Sequence, residues 1–256
     1  MMIDYGMIRE WSRQFATAWR FLTIIPLGRE ADLSSERLGK SMAMFPAVGL
    51  VLGMILVVLH AFLSYVFPTV LVDLSVISAL ILMTGGLHLD GFTDSIDGLA
   101  GGRNREEILE IMRDSRVGVI GVIALILLIL FKVVSLNQNP ERWKPGLLLC
   151  MPCMGRWSML QMSAFSRYAR EGEGTGRAFA DFSGRPEYLV GFVFTSAAVF
   201  LAFGIKGLLI LGLIGLTTYL TTRFFEAKLG GVTGDTHGFT GELSEALFLL
   251  LGAVVL

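Results

Sequence analysis

Asp90, Asp94 and Asp97 stand at i, i+4 and i+7 within the stretch TGGLHLDGFTDSIDGLAGGRNREEILEIMRDSRVG, residues 84–118. On a helix that spacing lines three carboxylates along one face. Like charges stacked this way repel, and a cation ordinarily makes such a row tolerable. Oxygen-only donors favour a hard divalent ion such as Mg2+. Ions of this kind keep positions open for water and phosphate oxygens, so Asp90, Asp94 and Asp97 read as a metal site that anchors a diphosphate. A solvated helix end is the plain alternative. His88 is a candidate general base, or else a hydrogen-bonded packing group. In the tight group Arg113-Asp114-Ser115-Arg116, the two guanidiniums can grip phosphate through paired hydrogen bonds. Asp114 joins Asp94, Asp97 and His88 as a catalytic candidate. Arg103 and Arg105 read instead as surface partners of Glu106, Glu107 and Glu110.

A second constellation runs from Gly230 to Gly238 and continues to Glu242 and Glu245. Asp235 sits in its glycine-rich turn, where it can wrap a ligand or complete a metal shell, and Glu242 and Glu245 share a helix face at i, i+3. All three are candidate substrate-binding residues, against a plain turn before the last helix. The polar segment 166–187 carries Tyr168, Arg170, Glu171, Arg177, Asp181 and Arg185; it can close as a lid, while Gly172, Gly174, Gly176 and Gly184 equally permit disorder.

These residues must be positioned by membrane helices. The chain has 256 residues, 54% of them apolar and only 17% charged, far from the balance of a soluble domain. Runs near the length of a bilayer span cover 42–67, 69–89, 117–136, 145–165, 188–203, 207–222 and 242–256, with Pro68 as a break. The fold class is therefore all-α, a polytopic transmembrane bundle of about seven spans with membrane lipid as its solvent. Segment 15–27, with Trp11, Trp19 and Arg20 at its margins, reads as interfacial or re-entrant rather than spanning. Sixteen lysines and arginines, Arg29 among them, fall on one side of these spans and three on the other. That bias puts the N-terminus in the cytoplasm, together with the polar loops 90–116, 166–187 and 223–241.

Residues 1–256 read as a single integral membrane domain with a cytoplasmic or interfacial segment at 1–41, and no removable signal peptide is visible. Lys132 and Arg156 fall inside spans, where an unpaired Arg156 would be costly. The formal net charge of −1 suggests no nucleic-acid partner. Cys150 and Cys153 have no second pair to complete a zinc site and read as packing cysteines. Self-association into a homo-oligomer stays compatible with the sequence.

The blocks TGGLHLDGFTDSIDG, EIMRDSRVG and GGVTGDTHGFTGELSE, with FLTIIPLG and FPAVGLVLG ahead of them, resemble the signature blocks of the cobalamin-5'-phosphate synthase family, the adenosylcobinamide-GDP ribazoletransferases. They span nearly the whole chain in the family's order. The resemblance implies a Mg2+-dependent enzyme of the cell inner membrane with its active face in the cytoplasm. It would join adenosylcobinamide-GDP to α-ribazole or its 5'-phosphate, with release of GMP. It maps Asp90, Asp94, Asp97, Asp114 and Asp235 onto the family's acidic positions, and Glu242 and Glu245 onto its terminal acids. A CDP-alcohol phosphotransferase is the nearest enzymatic rival, but its D-G-x-x-A-R continuation is missing after Asp90-Gly91. An ion-coupled transporter would show an internal repeat, and none is visible.

Overall fold

The computed structural model describes residues 5–27, 34–172 and 175–256. Gly28, Arg29 and Gly174, used in the sequence readings above, lie outside these stretches. The described residues form twelve α-helices and no sheet. In chain order they are α1 (Tyr5–Leu22), α2 (Ser35–Ser41), α3 (Phe45–Leu63), α4 (Thr69–Met83), α5 (Leu87–Gly101) and α6 (Arg105–Ile111). Then come α7 (Val119–Gln138), α8 (Lys144–Ala164), α9 (Thr175–Phe182), α10 (Arg185–Phe203), α11 (Ile205–Leu229) and α12 (Gly234–Val255).

Five segments are single helices long and apolar enough to cross a membrane: Ser35–Leu63, α7, α10, α11 and α12. Helices α4 and α5 pass the same test together, but with a bend of 89° between them. Helix α8, with 21 residues, reaches about 31 Å, roughly the thickness of a bilayer's hydrocarbon core. It runs through the middle of the bundle, flanked by α3, α12, α10 and α11, and buries most of its side chains, Cys150 and Cys153 included. The outer helices show lipid-compatible faces, with Val58, Phe62, Leu127, Val193, Leu201 and Leu216 exposed. The expectation of about seven spans thus meets five single helices and one bent pair among the described residues, with α8 buried between them. The protein is a membrane protein.

Several boundaries differ from the sequence reading, each for a local reason. The run 69–89 does not continue as one helix, because Gly85 and Gly86 adopt left-handed backbone (φ +62° and +72°) and turn the chain into α5. His88 therefore belongs to the second arm. Much of the expected loop 90–116 is helical, in α5 and α6. The expected loop 223–241 shrinks to four residues, since α11 runs on to Leu229 and α12 already starts at Gly234. Its start is fixed by Thr233, whose hydroxyl accepts the Thr236 amide while Thr236 Oγ1 accepts the Thr233 amide, a reciprocal cap. Segment 166–187 contains α9, which packs on α2 and sets Phe179 edge-on against the stacked rings of Phe21 and Phe45.

The two ends of the bundle differ in chemistry. One end holds an ion cluster in which the buried Lys144 Nζ reaches the buried Asp73 and the exposed Glu141 at 2.9 Å each, and Asn137 donates to Asp73. It ties α4, α7 and α8 together. The other end carries α1, α2, α6, α9, the elbow between α4 and α5, and the first turn of α12.

Candidate active site

Helix α5 leaves the elbow with Asp90, Asp94 and Asp97 on one face, as the spacing requires, but the three meet different surroundings. Asp90 is exposed; Asp94 and Asp97 are half-buried. Asp97 accepts the backbone amides of Gly118 and Gly121, each at 2.7 Å, one on each oxygen. It thereby caps the N-terminus of α7, whose first amides have no partners within the helix. Asp94 instead feels the charges of Asp90, Asp235 and Asp97, so the fourth carboxylate of its neighbourhood comes from α12.

The meeting of α5 and α12 is a backbone-to-backbone contact. A Cβ on Gly91 would lie 2.8 Å from Asp235 Cα, and one on Gly238 would lie 2.7 Å from the His88 carbonyl oxygen. The stacked rings of Phe92 and Phe239, 5.3 Å between centroids, hold the same crossing. Asp235 sits in the first turn of α12, where the helix dipole favours a negative charge. Its carboxylate receives Arg170 Nη2 at 2.7 Å.

Arg170 is held in place by a short clip. The Ala169 amide donates to the Val232 carbonyl at 2.9 Å, and the Val232 amide donates to the Arg167 carbonyl at 2.8 Å. Arg105 spans both strands of this clip, with Nη2 on the Ala169 carbonyl and Nε on the Leu229 carbonyl. Arg105 thus does more than the surface pairing expected of it. The segment 166–172 is anchored beside Asp235.

Behind the crossing lies a second, fully enclosed group of charges. Lys132 of α7 donates to Glu242 at 2.5 Å and to Glu245 at 2.7 Å, and Arg156 of α8 pairs with the other oxygen of Glu245. The cost of placing Arg156 in a span is met by pairing, as expected. Glu242 and Glu245, read from sequence as substrate-binding, are 7% and 1% exposed and already engaged with cations. Arg156 Nη2 also lies 3.4 Å from His88 Nδ1, so the quartet reaches back to α5. His88 is buried, next to a cavity of about 90 Å³ whose walls include Asp90, Asp235 and His237.

The group Arg113 to Arg116 lies on an exposed turn. Asp114 accepts Arg116 Nη2 at 2.6 Å and Nε at 3.0 Å, and this guanidinium pulls its carboxyl down to about 2. Arg113 is exposed. The turn ends at Val117, which borders a groove of about 770 Å³ that also contains Arg20, Thr84, Gly86, Asp90 and Thr93. Asp90 therefore faces an opening large enough for part of a bulky ligand.

Among the described residues no three His, Cys, Asp or Glu side chains form a ready-made cage for a metal. Mg2+ does not ask for one, because it retains several waters and is bound through one or two carboxylates plus substrate phosphates. Asp90, Asp94 and Asp235, brought together where two backbones touch, suit that mode. The sequence reads Asp235 as wrapping a ligand or completing a metal shell, and it reads Arg170 only as part of the polar segment 166–187. Their separation of 65 residues leaves no spacing signal to read.

Comparison with known proteins places the chain in a family. Residues 14–253 match the family model described as cobalamin-5-phosphate synthase. A relative from Acetivibrio thermocellus, an adenosylcobinamide-GDP ribazoletransferase, is 40% identical over 90% of this chain and 93% of its own length. Relatives of the same description from Clostridium acetobutylicum and Geotalea daltonii are 37% and 38% identical over 93% of this chain, and over 94% and 96% of their own lengths. No solved structure matches.

Proposed function

Because the chain belongs to the cobalamin-5-phosphate synthase family, and so is a transferase of the nucleotide-loop assembly step of cobalamin biosynthesis, we propose that it joins adenosylcobinamide-GDP to α-ribazole or its 5'-phosphate at the Asp90–Asp94–Asp235 cluster. Family membership sets aside the CDP-alcohol phosphotransferase and transporter readings. The observation that carries the placement is the contact of Gly91 with the Asp235 backbone, which gathers acids from two helices beside an arginine and an open groove.

In the proposed reaction the oxygen of a ribose hydroxyl other than the 5' one, free in α-ribazole and in its 5'-phosphate alike, forms a bond to the phosphorus that stays with cobinamide. The bond from that phosphorus to the bridging oxygen breaks, and GMP leaves with its electron pair. Asp94, half-buried and flanked by the other two acids, takes the hydroxyl proton. Asp90 and Asp235 would hold Mg2+, which neutralises diphosphate charge as the bond to GMP breaks. Asp97 positions this face by fixing α7 to α5, and the Lys132–Glu242–Glu245–Arg156 quartet positions His88 and α12 from behind. The groove beside Asp90 admits the substrate. We place this end of the bundle at the cytoplasmic face of the cell inner membrane, where the excess of lysine and arginine lies.

Full-length protein in liposomes, given adenosylcobinamide-GDP and α-ribazole, should release GMP and corrinoid product only when Mg2+ is present, and Asp94→Asn should lower turnover by at least about a hundredfold. Turnover that persists in a chelator, or in Asp94→Asn, would remove the cluster from the chemistry.

A further inference from the structure

We propose that Arg170 is the phosphate-binding guanidinium of this site, held at Asp235 until a divalent cation takes the carboxylate and frees the arginine for the substrate's diphosphate. The inference rests on the reading of the acidic cluster given above. Its starting point is a half-used fork: Arg170 gives Nη2 to Asp235 at 2.7 Å, while its Nε is buried with no partner. A guanidinium offers five donors in one plane and matches two phosphate oxygens at once, so a single carboxylate contact leaves most of that capacity unspent. The pair is largely enclosed, with side-chain exposures of 14% for Arg170 and 22% for Asp235.

Charge balance supports an exchange. Three carboxyl groups, Asp90, Asp94 and Asp235, gather here, and Arg170 is the cation paired with one of them. A divalent cation competes with Arg170 for the same oxygen of Asp235. Once the cation is bound, the guanidinium is free to meet the charge that the diphosphate brings. The backbone leading into Arg170 need not move, because Arg105 and the hydrogen bonds between Arg167, Ala169 and Val232 fix it. Only the side chain swings. Arg116, by contrast, is exposed and already engaged with Asp114.

Exchange makes two readouts move in opposite directions, which a merely structural arginine would not do. Mn2+ binding to the full-length protein in detergent, followed by the loss of the free-ion electron paramagnetic resonance signal, measures the first. Transfer kinetics measure the second. Arg170→Gln should bind Mn2+ several-fold more tightly, since its competitor is gone, while KM for adenosylcobinamide-GDP rises by about tenfold. Arg170→Lys keeps the competing charge and should bind Mn2+ as the unaltered protein does, with KM still raised. A thermal melt of each variant identifies any that has lost its fold, and Arg170→Lys then carries the test. Unaltered protein that binds Mn2+ beside an Arg170→Gln variant that binds it no more tightly, or with KM unchanged, overturns the role of Arg170 alone. Unaltered protein that binds no Mn2+ overturns the metal site and this exchange with it.

Discussion

Asp97 occupies the same helix face as Asp90 and Asp94, yet both of its oxygens accept amides from the start of α7. Replacing it with Asn removes one acceptor and the charge that favours a helix N-terminus, a loss of about 1–3 kcal/mol. The expected outcome is a lower melting temperature with an unchanged Mg2+ requirement. A weakened Mg2+ response at an unchanged melting temperature would return Asp97 to the metal shell. Asp114 permits a pH argument of definite sign. Its carboxyl is held below the ordinary range by Arg116, so whatever the pair contributes is complete above that range and fades only as pH falls toward about 2. Asp114→Asn should therefore leave any acid limb of the pH–rate profile near pH 5–7 where it was; a limb that shifts with this variant would assign that titration to Asp114. At this scale the sequence showed which acids share a face but not what each one meets. Residues 21 and 24 positions after Asp97 decide its task, and nothing in an i, i+4, i+7 pattern points to them.

The crossing of α5 and α12 depends on the absence of a side chain at Gly91. A methyl group there would press on the Asp235 backbone at 2.8–2.9 Å, so a helix must shift rather than a rotamer. Gly91→Ala should cut kcat by at least about tenfold while the bundle still folds, because displacements of an ångström in a reacting group are that costly. Gly212→Ala, where a Cβ would meet nothing within 4 Å, supplies the control. Equal activity in the two variants would show that the crossing does not position the site. The elements themselves were legible where their signal is cumulative: α3, α7, α8 and α10 fall close to the apolar runs. The signal failed where a few atoms decide. Two left-handed glycines split the run 69–89, and one threonine cap starts α12 eight residues before the apolar run at 242–256. The short helices α6 and α9 carry too few apolar residues to stand out from polar loops.

Across the whole molecule, three helices are tied below the site by an enclosed quartet of two cations and two carboxylates: Lys132, Arg156, Glu242 and Glu245. Its formal net charge is zero, and matched pairing of this kind is what makes ionised groups tolerable in a low-dielectric interior. Lys132→Met leaves two carboxylates against Arg156 alone. Breaking a buried pair from one side typically costs about 3–5 kcal/mol, so this variant should melt well below the unaltered protein or fail to accumulate in the membrane. Combining Lys132→Met with Glu242→Gln restores neutrality, because Arg156 and Glu245 remain a matched pair. The double variant should recover most of the lost stability, giving a favourable coupling of 0.5–3 kcal/mol by the usual range of such cycles. Thermal melts of the four proteins in one detergent measure that coupling directly. Additive losses would mean that Lys132 and Glu242 act separately, with Lys132 balanced by Glu245 alone. Recovery would identify charge neutrality as the condition that lets this bundle hold ionised groups behind its acidic site. In that case activity should return with stability, since α12 would again carry Asp235 against Gly91.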